Sequence, residues 1–187
     1  MISINLKNNF ATKTSLSVLV LLLIFTLKGN SQNKLDSLGR KQGNWKLNKN
    51  DTTITCHFIN DSKNGEVLKF VNEQIVVYQN FKLGIKDGIQ KIYWTNTRIK
   101  EISYFDNGQL CYQFLINQKG KAIMEIHYKN NVKDGRELWY YPNGKLWRMI
   151  PYDKGKINGS CYNYRKNGSI YLIERYVDDK FESLETF

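Results

Sequence analysis

Gly43, Gly65, Gly88, Gly135 and Gly159 are separated by 22, 23, 47 and 24 residues. The double interval holds two units, and its missing mark falls on Cys111. Six units follow: 43–64, 65–87, 88–110, 111–134, 135–158 and 159 onward, the last ending near 182. A period of this length has to be read before any single element, because each unit is one supersecondary piece that stacks on copies of itself. It excludes an ordinary domain wound once around a central core.

The fifth and sixth units show what is repeated. Five residues after the opening glycine stands Tyr140 or Tyr164, and Asn143-Gly144 or Asn167-Gly168 follows at offsets eight and nine. Leu146 or Ile170 comes at eleven and Tyr152 or Tyr176 at seventeen. The third unit keeps Tyr93, Asn96, Ile99 and Phe105, the fourth keeps Ile116, Gly120 and Tyr128, and the first two drift. Asn-Gly favours a type I′ hairpin turn, in which both central residues have positive φ. A second turn is expected at each boundary, at Asn64-Gly65, Asp87-Gly88, Asp134-Gly135 and Asn158-Gly159. Gly65, Gly88, Gly108, Gly135, Gly144, Gly159 and Gly168 are therefore expected turn residues. The runs between them are rich in Tyr, Trp, Ile and Leu, which suit strands, and no helical stripe is sustained. The expected fold is all-β: an elongated antiparallel meander of six hairpins, with the repeated Tyr and Leu/Ile positions stacked as one cross-strand ladder.

Residues 1–31 read differently. They hold Lys7, Lys13 and Lys28, no acid, and the uncharged run Leu16–Leu27, followed by Gly29 and Ser31. This is the order of a secretory signal peptide, helical across its apolar run, with cleavage expected after Ser31. A spanning helix needs roughly 20 apolar residues, so a retained anchor fits less well. No Cys lies at that cut to take a lipid. The organisation expected is signal peptide 1–31, lead-in 32–42, repeats 43–182 and tail 183–187. The export route implies a secreted, periplasmic or cell-envelope location. Cleavage removes three lysines and lowers the net charge from +11 to +8.

The hairpin units of about 23 residues, with the rhythm Y-x-x-N-G-x-[LI]…Y-x-x-G…[ND]-G, resemble MORN-repeat proteins, and most closely the bacterial MORN-variant repeats that include YwqK-type antitoxins. Leu38–Leu47 also looks like the usual lead-in of exported arrays of this kind. The resemblance runs over roughly 38–182 and implies a scaffold or binding module with no catalytic residue to carry over. Its alternative implication is a toxin-neutralising protein, acting where an exported toxin is met.

The remaining chemistry points the same way. Cys56, Cys111 and Cys161 are odd in number and widely spaced, so neither a disulfide framework nor a zinc site is expected. His57 and His127 read as strand residues, and Glu101, Glu125 and Glu174 fall in separate units. No catalytic residue, metal or cofactor is expected, and the chain is read as non-enzymatic. The units carry net charges of +1, 0, +1, +2, +3 and −1, so charge reads as spread rather than patched. That argues against nucleic acid and leaves weak contact with an anionic membrane surface. Asp178, Asp179, Glu182 and Glu185 read as a solvated cap on the last strand. Trp94, Trp139, Tyr141, Trp147 and Tyr171 stand outside the repeating offsets. Alternation places them on one face, opposite the ladder that Tyr162 joins. They are the candidate partner-binding residues, for a protein or an envelope polysaccharide.

Overall fold

The computed structural model describes residues 33–95 and 97–187. The expected signal peptide lies outside the described residues, as do Gln32 and Asn96. The described residues form one antiparallel meander sheet of fifteen strands and no helix. The strands are β1 (Lys34–Leu35), β2 (Lys41–Lys49), β3 (Thr52–Ile59), β4 (Ser62–Val71), β5 (Gln74–Lys82), β6 (Ile85–Tyr93), β7 (Ile99–Asp106) and β8 (Gln109–Ile116). They continue as β9 (Ala122–Lys129), β10 (Val132–Tyr140), β11 (Leu146–Asp153), β12 (Lys156–Ile157), β13 (Gly159–Tyr164), β14 (Ile170–Val177) and β15 (Lys180–Thr186). Each strand pairs with its sequence neighbour, except that β11 pairs with both β12 and β13. The expected 183–187 tail is part of β15 through Thr186, and the lead-in contains β1 and the start of β2.

The core is a row, not a layer. Direct register partners run Cys56, Val67, Gln79, Gln90, Ser103, Gln113, Ile126, Glu137 and Ile150, one residue per strand from β3 to β11. Most of these are buried, and Cys161 on β13 is completely so. At its start the row gathers Trp45, Ile54, Phe58 and Phe81 around Cys56 and Val67. In its middle it is polar and internally satisfied: Gln79 Nε2 donates to Gln90 Oε1 at 2.7 Å, and Ser103 Oγ to Glu101 Oε1 at 2.7 Å. Aromatic side chains flank the row. Lysines lie over them, Lys63 on Phe81, Lys86 on Phe105 and Lys133 on Tyr152, at 4.8–5.1 Å from the ring centroids.

The boundary turns sit four residues upstream of where the glycines suggested. Gly65, Gly88 and Gly135 lie inside β4, β6 and β10, and Gly159 opens β13. Beside the first three the register shifts, so they mark β-bulges, with positive φ in each case. The tight two-residue turns are Asn60-Asp61, Leu83-Gly84, Asn130-Asn131 and Lys154-Gly155, with both φ positive as type I′ requires. Asn72-Glu73, Asn107-Gly108 and Asp178-Asp179 adopt the same form.

The Asn-Gly pairs at offsets eight and nine, Asn143-Gly144 and Asn167-Gly168, are not type I′ turns. Asn143 and Asn167 do not have positive φ. Instead Gly144 N donates to Tyr141 O, Tyr141 N to Lys145 O, and Asn143 Oδ1 accepts from Lys145 N. The result is a three-residue loop with only its last residue left-handed, repeated around Gly168 and Gly120; Thr97 is left-handed with the same pair of backbone bonds. Asn supplies a side-chain acceptor rather than an unusual φ.

The single ladder also divides. Tyr140 OH donates to Glu125, whose register partner is Leu138, while Tyr152 lies under Lys133, which bonds to Glu137. Leu138 and Glu137 are adjacent and point to opposite faces. The bulge between Tyr140 and Tyr152 is what separates them, because an extra residue changes which face follows.

Candidate functional site

The turns alternate between two rims of the sheet. One rim carries the three-residue loops 94–98, 117–121, 141–145 and 165–169, and the other carries the tight boundary turns. On the wide-turn rim the register slips by one residue in every unit from the second to the sixth. The slip leaves Val76, Lys100, Ile123, Trp147 and Tyr171 as the extra residues. In the third, fifth and sixth units the extra residue faces the residue that opens its loop, six positions earlier. Lys100 Nζ stands 4.9 Å from the Trp94 ring, the Tyr141 and Trp147 centroids are 6.2 Å apart, and the Arg165 guanidinium lies 5.4 Å from the Tyr171 ring. A bulge re-aims a side chain, and in these three units it aims the same position across the loop.

Trp139 and Trp147 meet edge to face, with centroids 6.3 Å apart. The Trp139 indole donates to Glu137 Oε1 at 2.6 Å, and Lys133 holds the other oxygen of that carboxylate. Glu137 is only 4% exposed. Burial opposes the charge on Lys133, but the Glu137 carboxylate outweighs it and raises the lysine's pKa. Arg148, the register partner of Trp139, donates to Glu174 at 2.9 Å, and Asn163 shares that acceptor at 3.0 Å. Trp147 is 41% exposed and supplies the open surface of this cluster, while Trp139 and Tyr141 are half-buried. Hydrogen bonds tie the first loop to the second, Trp94 Nε1 to Ile116 O and Arg98 Nη1 to Gln118 O, and the third to the fourth, Tyr141 OH to Tyr164 O.

Of the five candidate residues, the structure brings Trp139, Tyr141 and Trp147 into contact. Trp94 and Tyr171 occupy equivalent positions two units before and one unit after, paired with cations rather than with the tryptophans. Tyr162 stacks on Tyr164, with centroids 6.5 Å apart. Sequence reasoning missed the ring partners Lys100 and Arg165 and the anchoring Glu137. The signal for the first two was a six-residue offset repeated from unit to unit.

The charge is not spread. The segments 94–100, 117–123, 141–147 and 165–171 carry Arg98, Lys100, Lys119, Lys121, Lys145, Arg165 and Lys166 and no acid. All seven side chains are exposed. On the tight-turn rim of the same units, Asp106, Asp134, Asp153, Asp178 and Asp179 are interleaved with lysines. Summing along contiguous units averages the two rims, which is why the segregation is invisible in unit totals.

The opposite face holds a second group around Glu125. Its carboxylate accepts from Tyr140 OH at 3.0 Å and faces His127 Nε2 at 3.4 Å. The His127 bond lowers the Glu125 pKa against the opposing effect of burial, with Tyr140 assisting. Tyr112 and Tyr140 are raised, first by burial and then by the charge on Glu125. Glu125 is thus held as an anion. Glu101, Glu125 and Glu174 remain in separate hydrogen-bonded groups. Cys56, Cys111 and Cys161 are free thiols, and burial raises the pKa of Cys56 and Cys161.

Comparison with known proteins bears on the architecture. No curated protein is significantly similar in sequence. Among solved structures the chain is similar to a crystal structure of accessory secretory protein 1,2 and 3 in Streptococcus pneumoniae. The identity is 18%, the TM-score 0.34, and the match covers 64% of this chain and 24% of that one. It is also similar to S. aureus TarM in complex with Fondaparinux, alpha-GlcNAc-glycerol and UDP, at 12% identity and TM-score 0.27, covering 66% and 24%. A second TarM structure gives 13% and 0.26, covering 65% and 25%. The chain spans about a quarter of the length of these proteins. The MORN repeat variant profile matches residues 133–154, from Lys133 to Lys154. That segment holds β10, the Tyr141–Lys145 loop and β11, the hairpin whose bulge and loop recur in the neighbouring units, so the match supports a MORN-type repeat architecture.

Proposed function

We propose that this chain is an exported, non-enzymatic repeat module that binds a protein or an envelope glycan through the wide-turn rim of its third to sixth units. The observation that carries the reading is the exposed Trp147, held against Trp139 and Tyr141 at the centre of a rim whose charged side chains are all basic. An exposed indole on a rigid scaffold is an anchor that a soluble surface does not need for stability. Trp139 is fixed by the buried Glu137, so the anchor is pre-organised. Residues 1–31 supply the export route in this reading, with cleavage after Ser31.

Crosslinking in envelope fractions followed by pull-down tests it, comparing the natural chain with Trp147→Ala. A partner recovered with the natural chain and lost with Trp147→Ala is expected. Equal recovery from both would overturn the assignment of the rim. Recovery of one exported toxin alone, with its activity neutralised, would replace it with the YwqK-type reading.

A further inference from the structure

We infer that the wide-turn rim of the third to sixth units is a binding track for a linear anionic polysaccharide, laid across the four loops. This rests on the reading of that rim as the binding surface, and it names the ligand class.

The track is built by the repeat. Equivalent loops are two strands apart, so each unit advances about 10 Å and the four loops span about 30 Å. Each loop presents one or two cations: Arg98 and Lys100, Lys119 and Lys121, Lys145, and Arg165 and Lys166. No acid stands in any of the four loops, while Arg98 donates to Gln118 O and Arg165 to Ile170 O and Phe187 O. Between them lie Trp94, the Tyr141–Trp147 pair and Tyr171. The order along the rim is therefore cations in all four loops, with rings beside them in the third, fifth and sixth units, in a line one loop wide.

Charge density selects among polyanions. The track offers about one cation per 5 Å, whereas duplex DNA carries one charge per about 1.7 Å of axis. A chain of uronic or phosphorylated sugars, with one charge per sugar or per disaccharide, matches the sparser spacing. The rings point to the same ligand. Lys100 and Arg165 already lie on the Trp94 and Tyr171 faces, so those faces are not free platforms for successive bases. The exposed Trp147 supplies one apolar surface, as a sugar's C–H face requires. A bilayer surface would call for a basic face, but the bases here form a line along one rim.

The test uses the full chain and oligogalacturonate of about 30 Å, followed by tryptophan fluorescence and calorimetry. Neutral malto-oligosaccharide of the same length, oligothymidylate and anionic vesicles are run alongside. Binding that weakens as salt rises, and weakens at least tenfold in Lys119→Glu/Lys121→Glu, is expected. Lys154→Glu/Lys156→Glu on the other rim should leave it within twofold. Equal loss in both double variants would reduce the track to non-specific charge attraction and overturn it. Tighter binding of oligothymidylate or of vesicles would also overturn it, in favour of that ligand class. If no oligosaccharide binds while the crosslinked partner is still lost with Trp147→Ala, the polysaccharide track fails and the binding-rim reading stands. If the partner is retained as well, both fail.

Discussion

Thr97 holds a left-handed conformation, φ 62°, at the position where Gly120, Gly144 and Gly168 stand in the other three-residue loops. A β-branched residue is strained there by about 1–3 kcal/mol, partly offset by the unfolded-state entropy that a glycine would add. Thr97→Gly should therefore stabilise the chain by about 1 kcal/mol, read as a rise in melting temperature. The glycines themselves differ. A Cβ at Gly144 would meet nothing within 4 Å, so Gly144→Ala should cost about 1 kcal/mol through φ alone. At Gly155 the same atom would come within 2.7 Å of Val132 Cγ1, so Gly155→Ala should cost clearly more in a denaturant titration. Which glycine serves a loop, a tight turn or a bulge was not legible in the sequence. All three demand positive φ, and the residue type reports only that demand. Where the fold repeats was legible, because the demand recurs at a fixed interval.

Among the elements, the β10–β11 hairpin carries the site, and Glu137 holds it. Removing this carboxylate strands the Trp139 indole and a partly buried Lys133. Glu137→Ala should destabilise by about 2–3 kcal/mol, discounted because Lys133 is a third exposed and can turn to water. Glu137→Gln keeps an acceptor for the indole and should lose less; urea titration of both variants checks the order. The β1–β2 connection has its own pin. Asp36 accepts from the Arg40 and Leu38 amides, the Arg40 guanidinium and Gln42. These bonds, led by the Arg40 amide, lower its pKa from 3.8 to about 2. A depressed carboxylate stabilises above its ordinary value and loses that contribution as pH falls through the folded one. The β1–β2 pairing should thus persist at pH 4 and open as the pH approaches 2, followed by amide and carboxylate chemical shifts of Asp36. Strand character was legible here from composition and alternation. The faces were not, since the bulge at the wide-turn rim, which no residue type announces, sends Tyr140 and Tyr152 to opposite sides.

At the scale of the whole sheet, each unit meets only its neighbours, and stability is close to a sum over units and interfaces. Deleting 111–134, one full period, should leave a folded, cooperative β-sheet with a smaller denaturant m-value. Deleting 111–122, half a period, should reverse the order of rims beyond the cut and abolish cooperative unfolding. Circular dichroism melts of the two deletions distinguish these outcomes. The aromatic candidates could be named from the sequence because they stand outside the offsets of the Tyr and Leu/Ile ladder. The basic track could not, because adjacent turns in the chain lie on opposite rims, and only the meander sorts them.

The tight-turn rim carries one further feature. Gly84 N donates to Lys63 O, Gly108 N to Lys86 O, Gly155 N to Lys133 O and Asp179 N to Ile157 O. These bonds skip a strand and join consecutive units directly. A meander pulled at its two ends opens like a zipper, one strand per step. In this chain a strand cannot leave without also releasing the turn bonded beyond it, so the natural step of mechanical rupture is the pair of strands, and an extension trace should advance in increments of about 23 residues.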